Sequence, residues 1–199
     1  KSDDFEKNIV IDERTELVAK KISEYMKNSG DRYMKTIVFC VDIEHAERMR
    51  RALVNENNDL FQLNQKYIVR ITGDNEIGKS ELDNFIDPAN NYPVIATTSR
   101  LMSTGIDAQT CKLIVLDKEI ASSIEFKQII GRGTRLRPDF NKNYFTILDF
   151  RRATDKFADP DFDGEPIIIY EPKDKEEIHE PSVISDTNEG NQTDIINEN

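Results

Sequence analysis

Apolar positions along the chain alternate between a spacing of three to four and an unbroken or every-second run, a pattern that predicts alternating helices and strands. Residues 13–28 place Leu17, Val18, Ile22, Tyr25 and Met26 on one helical stripe, with Gly30 as its stop. Residues 36–41 (TIVFCV) form a continuous β-branched and aromatic run, as expected of a buried strand. Asp42 then caps a helix reaching about Asn57, with Ala46, Met49, Arg50 and Leu53 along one side. Further strands are expected at 67–72 (YIVRIT), 94–97, 112–116, 144–148 and 167–170. Between them come a short helix at 79–86, stopped by Asp87-Pro88, and a helix from Ser122 or Ser123 to about Arg135. Strands separated by helices, several of them apolar throughout, imply an α/β fold with a parallel sheet covered on both faces.

Charge changes this picture at one end only. The 199 residues carry 27 basic and 38 acidic side chains, a net charge of -11, but residues 1–150 hold 22 and 24 of these while residues 151–199 hold 5 and 14. The body is therefore nearly neutral, and the acidity argues against nucleic-acid binding only for the tail. From about Glu171 onward the chain is acidic and poor in aromatics, the composition of a flexible tail. No apolar stretch is long enough to cross a membrane and no secretory signal precedes the first helix, so the expected location is cytoplasmic. The chain begins at Lys1 rather than Met, which is expected of a piece cut from a longer one. Cys40, Cys111, His45 and His179 are too scattered for a zinc site, and no metal ligands are expected. The two cysteines fall in or beside apolar runs and read as buried thiols.

Three stretches carry candidate chemistry. Residues 73–80 (GDNEIGKS) match the phosphate-loop pattern G-x-x-x-x-G-K-[ST], and Asp117 could then serve as the Mg²⁺-binding acid. Against this, Asp74 and Glu76 would place two carboxylates where phosphates must sit, and a solvated surface loop is the simpler expectation. Asp161 with Glu171 and Lys173 imitates the acids and lysine of an Mg²⁺-dependent nuclease, but Pro172 between the last two opposes the rigid strand such a site needs. The third stretch, residues 128–135 (QIIGRGTR), would put Gln128, Arg132 and Arg135 on one helical face and Phe126, Ile129, Ile130 and Gly133 on the other. Glycine costs a helix about 1 kcal/mol relative to alanine, so Gly131 and Gly133 together point to close packing. A solvated basic face is the equally simple alternative.

The order of the stretches separates those alternatives. Residues 96–117 (ATTSRLMSTGIDAQTCKLIVLD) resemble the motif V region of superfamily 2 helicases, and QIIGRGTR resembles their motif VI. TIVFC resembles motif IV, and ITGDNEIGKSELDNF resembles the segment between motifs IV and V. The likeness runs from about Val10 to Pro166 and is greatest for the R (motor) subunit of type I restriction enzymes, whose version QIIGRGTRLRPDF and ILDFRRATDKFADPDFDGEP look like. The loop between Thr97 and Gly105 is longer than the compact helicase form, and Gln128 stands where many relatives have His.

The resemblance implies a RecA-like second helicase domain over residues 1–157 and an exit segment over 158–174, to which the apolar run 167–170 would add a strand; composition predicts an acidic, disordered tail over 175–199. It implies ATP and Mg²⁺ as cofactors, held mainly by a first RecA-like domain outside this sequence. Arg135 would be the arginine finger and Arg132 its companion, with Gly105, Asp107 and Gln128 around the nucleotide. Gly73, Thr97, Arg70 and Arg100 would face the DNA backbone. Implied partners are double-stranded DNA, the first RecA-like and nuclease domains of one longer chain, and modification and specificity subunits. The implied activity is ATP-driven translocation of duplex DNA ahead of cleavage. Two alternatives stand beside it: a fragment of another superfamily 2 DNA or RNA helicase, and a stand-alone NTPase using Lys79.

Overall fold

The computed structural model describes residues 2–99, 108–133, 135–159 and 161, and the side chains among these from residue 11 onward. Five strands, β1 (Lys35–Cys40), β2 (Ile68–Arg70), β3 (Ile95–Thr98), β4 (Cys111–Asp117) and β5 (Thr146–Asp149), form one sheet. Its order is β2-β3-β1-β4-β5, and every neighbouring pair is parallel. All six positions of β1 and all four of β3 are buried, as expected of apolar runs without alternation.

Successive side chains of a strand point to opposite faces, so each strand feeds two cores. Val38 and Cys40 of β1 pack with Val18, Ile22 and Met26 of α1 (Ser2–Asn28) and Met49 and Leu53 of α2 (Ile43–Glu56). Ile37 and Phe39 face the other way, toward Phe85, Phe126, Ile129 and Ile130. The parallel sheet covered on both faces is thus present. Asp42 caps α2 as expected, its carboxylate accepting the His45 N–H at 2.7 Å.

Several boundaries differ from expectation. The first helix begins at Ser2 rather than residue 13, and a short helix α3 (Asn58–Leu63) follows α2. The helix expected at 79–86 is two, α4 (Glu76–Ser80) and α5 (Leu82–Ile86), broken at Glu81. The helix expected to reach Arg135, α6, spans Ser123–Ile130, with the Ser122 side chain capping it through Glu125 N. A last short helix, α7 (Thr154–Phe157), follows β5 and lays Phe157 beside Phe126 of α6, with ring centroids 6.1 Å apart. The expected strand at 167–170, nearly all of the exit segment and the whole 175–199 tail lie outside the described residues. Among the described residues no helix is long and apolar enough to cross a membrane.

Candidate functional site

The turn that ends α6 is built on its two glycines. The Gly131 N–H still reaches Lys127 O, but Arg132 N and Gly133 N bond to Ile129 O and Ile130 O, the tighter i→i−3 pattern. A Cβ on Gly133 would lie 2.6 Å from Cδ2 of Phe145 and 3.0 Å from Cδ1 of Ile114, so only glycine lets the chain seat here against the sheet. Phe126, Ile129 and Ile130 are fully buried, and Gln128 and Arg135 are exposed. Arg132 is half-buried, with Nε withdrawn from solvent. One helical face does not explain this grouping. Gln128 is on the helix, Arg132 in the turn and Arg135 beyond it, because the glycines end the helix at Ile130.

Arg137, a third guanidinium two residues after Arg135, is committed inside the fold. Its Nε and Nη2 fork onto Asp139, at 2.9 and 2.6 Å, and its Nη1 donates to the Gln109 side-chain oxygen. The other expected nucleotide-facing residues, Gly105 and Asp107, lie outside the described residues. The described chain resumes at Ala108, which is buried in the same core as α6.

At the carboxyl end of the sheet, β2 and β3 bring together Arg70 and Thr97, register partners, with Gly73 just beyond. Thr97 requires a correction as a phosphate-contacting residue. It is fully buried, and its hydroxyl donates to Ala46 O at 2.9 Å, which pins α2 to the sheet and leaves nothing facing solvent. Arg70 is engaged with Asp74 at 3.2 Å and lies 3.5 Å from Glu47. Gly73 is exposed with open space around it, and Arg100 lies outside the described residues.

The phosphate-loop pattern finds no support in this geometry. Gly78 is buried with a would-be Cβ 2.1 Å from the Arg70 carbonyl oxygen, so it serves a backbone approach rather than a ligand. Lys79 pairs with Glu76 at 2.7 Å. β2 and β4 are three strand steps apart, ~14 Å, and Asp117 at the end of β4 is fully buried.

Asp117 instead joins four elements. It accepts from Arg14 of α1 at 2.6 Å and from Arg151, beyond β5, at 3.3 Å, while His45 Nε2 of α2 lies 3.2 Å from its other oxygen. Because His45 Nδ1 accepts the Val41 N–H, it is the Nε2 edge of the ring that lies on the Asp117 side. Burial pushes the Asp117 carboxyl upward, but bonds from His45 and Arg14 outweigh it and hold the group below the usual carboxylate range. Periodicity did not reveal this cluster; its one trace in the sequence is a charged residue closing the apolar run LIVLD. Burial raises both thiols, Cys111 to about 12, so neither is a ready nucleophile. Among the described residues no three His, Cys, Asp or Glu side chains gather to hold a metal.

No protein-family model matches the chain. It is 62% identical over 163 residues to the type I restriction enzyme EcoAI endonuclease subunit of Escherichia coli, a match covering 82% of this chain and 20% of that one. It is 33% identical over 149 residues to the EcoKI endonuclease subunit of E. coli K12, covering 73% of this chain and 13% of that one. A solved fragment described as the HsdR subunit of a type I restriction enzyme from Vibrio vulnificus YJ016 matches with a TM-score of 0.75 at 51% identity, over 81% of this chain and 32% of that one. The chain thus spans one fifth or less of the curated relatives it matches.

Proposed function

We propose, for a chain that over four fifths of its length is homologous to the endonuclease subunit of type I restriction enzymes, that it forms the second motor domain of an ATP-driven DNA translocase. The observation that carries this role is the glycine turn at Gly131–Gly133. It seats the backbone against Phe145 and Ile114 and carries Arg132 and Arg135 out of the helix. Guanidinium groups suit phosphoryl transfer because their planar fork spreads positive charge over phosphate oxygens as charge shifts in the transition state. Arg135 acts as the finger, Arg132 as its companion, and Gln128 positions the nucleotide, with Gly105 and Asp107 beside it. ATP with Mg²⁺ supplies the bond whose cleavage drives the motor.

The described residues hold guanidinium donors but neither a phosphate cradle nor a metal cluster. That donor set fits one half of an interdomain site whose other half is a first RecA-like domain. Duplex DNA runs past the carboxyl end of β2, against the backbone at Gly73 and the Arg70 guanidinium, which exchanges Asp74 for phosphate; Arg100 adds attraction. Backbone contacts hold the strand without reading its sequence, as a translocating motor requires. A nuclease domain on the same longer chain, and modification and specificity subunits, complete the restriction enzyme.

The half-site character is tested with the chain alone. Residues 1–199 should show no ATP turnover with or without duplex DNA. Turnover that persists through rigorous repurification would contradict it.

A further inference from the structure

Arg135 lies between two anchors, each two residues away. On one side is Gly133, seated against Phe145 and Ile114. On the other is Arg137, which opens a small tab. Arg137 and Lys142 exchange backbone hydrogen bonds, a turn Pro138–Phe140 closes the tab, and Asn141 takes the left-handed conformation at φ 53°. The tab is fastened to Gln109, just before β4. The Arg137 guanidinium donates to the Gln109 side-chain oxygen, and Lys142, only 1% exposed, donates to the Gln109 carbonyl at 2.9 Å. The fork on Asp139 and the Phe140 ring, 4.6 Å from the guanidinium carbon, hold Arg137 in the orientation that reaches Gln109.

We infer that Arg137 is a positioning residue, which through Gln109 braces the turn bearing Arg135 against the start of β4. The need for such a brace follows from the turn itself. After Gly131 the described backbone passes from helical bonds to i→i−3 bonds at Arg132 and Gly133, a weaker geometry than the helix it leaves. Gly133 fixes the entry to Arg135, and the contact of Arg137 with Gln109 fixes the exit. A finger displaced by about 1 Å loses much of its effect on the transition state while ground-state binding is little changed. Asp139, held below the usual carboxylate range by its bond to Arg137, stays charged and keeps the fork in place at neutral pH.

This role rests on the reading of Arg135 as a finger, so Arg135→Ala is measured beside it. In the full-length subunit with its partner subunits and saturating duplex DNA, kcat and KM for ATP are compared for Arg137→Met, Gln109→Leu and the double variant, with the melting temperature of each. Each single substitution should lower kcat at least ten-fold with KM within about two-fold. The double should fall no further than the weaker single, because both remove one contact. Arg137→Lys, which can reach Gln109 but cannot fork onto Asp139, should recover only part of kcat. A loss of kcat that merely tracks lowered melting temperature would overturn the brace. So would a silent Gln109→Leu beside a damaged Arg137→Met, which would place Arg137 on the nucleotide itself. If Arg135→Ala abolishes turnover while the Arg137 and Gln109 variants are silent, the brace fails and the finger stands. If Arg135→Ala is silent, the finger fails and takes the brace with it.

Discussion

At the residue scale, glycines that look alike in sequence have different work. A methyl on Gly133 would meet the Phe145 ring and Ile114, so Gly133→Ala should destabilise the fold by ~1–3 kcal/mol, the usual cost of overpacking. Nothing lies within 4 Å of the corresponding position on Gly73, and its φ is not positive. Gly73→Ala should therefore be neutral or stabilising by up to about 1 kcal/mol through the unfolded chain. Urea unfolding of both variants checks the contrast, and an equal loss at the two sites would contradict it. Asp117 gives a second residue-scale expectation. Asp117→Asn leaves Arg14, Arg151 and His45 facing an amide, and should cost on the order of 3 kcal/mol at pH 7, the low end for breaking a buried ion pair. A depressed carboxyl contributes stability above its unfolded value, about 3.9, and loses it as pH falls through the lower folded one. The gap between wild type and Asp117→Asn should therefore narrow below about pH 4, and a gap that stays constant into acid would remove Asp117 from the account.

At the element scale, the strands and caps were legible because their causes are local. TIVFC is a strand in any context that buries both faces, and Asp42 caps α2 with its own carboxylate. Asp42→Ala should accordingly cost ~1 kcal/mol in thermal or urea unfolding, the usual worth of such a cap; a loss several times larger would mean that seating His45 against Asp117 depends on it. What sequence reading missed depends on neighbours distant along the chain. The extension of α6 to Arg135 followed from treating residues 128–135 as one helical repeat. Gly131 and Gly133 instead end it at Ile130, because the backbone gains a seat on Phe145 that a continuing helix would forfeit. Thr97 looked like a hydroxyl at a strand end, and only the packing of α2 across β3 shows that Ala46 O consumes it. Arg14 and Asp117 are 103 positions apart, and no periodicity connects them.

At the scale of the whole molecule, the parallel sheet sets two regions on one framework: the glycine turn seated on Ile114 and Phe145, and the exposed backbone of Gly73 beyond β2. Motif order singles out the first region as a candidate, since QIIGRGTR follows LIVLD along the chain. The GDNEIGKS string, which matches a phosphate loop in full, was separable from a working one only by its carboxylates. The structure adds that Gly78 meets a carbonyl and Lys79 a glutamate. Those two features yield opposite expectations for one pair of substitutions, so the central claim is tested most directly by ATP turnover of Arg135→Ala and Lys79→Ala in the intact subunit. Both are measured with saturating duplex DNA, after each variant has been shown to be folded. Arg135→Ala should lose on the order of 10³-fold or more in kcat with nucleotide binding little changed, and Lys79→Ala should remain within a few-fold of wild type. An inactive Lys79→Ala beside an active Arg135→Ala would contradict the account.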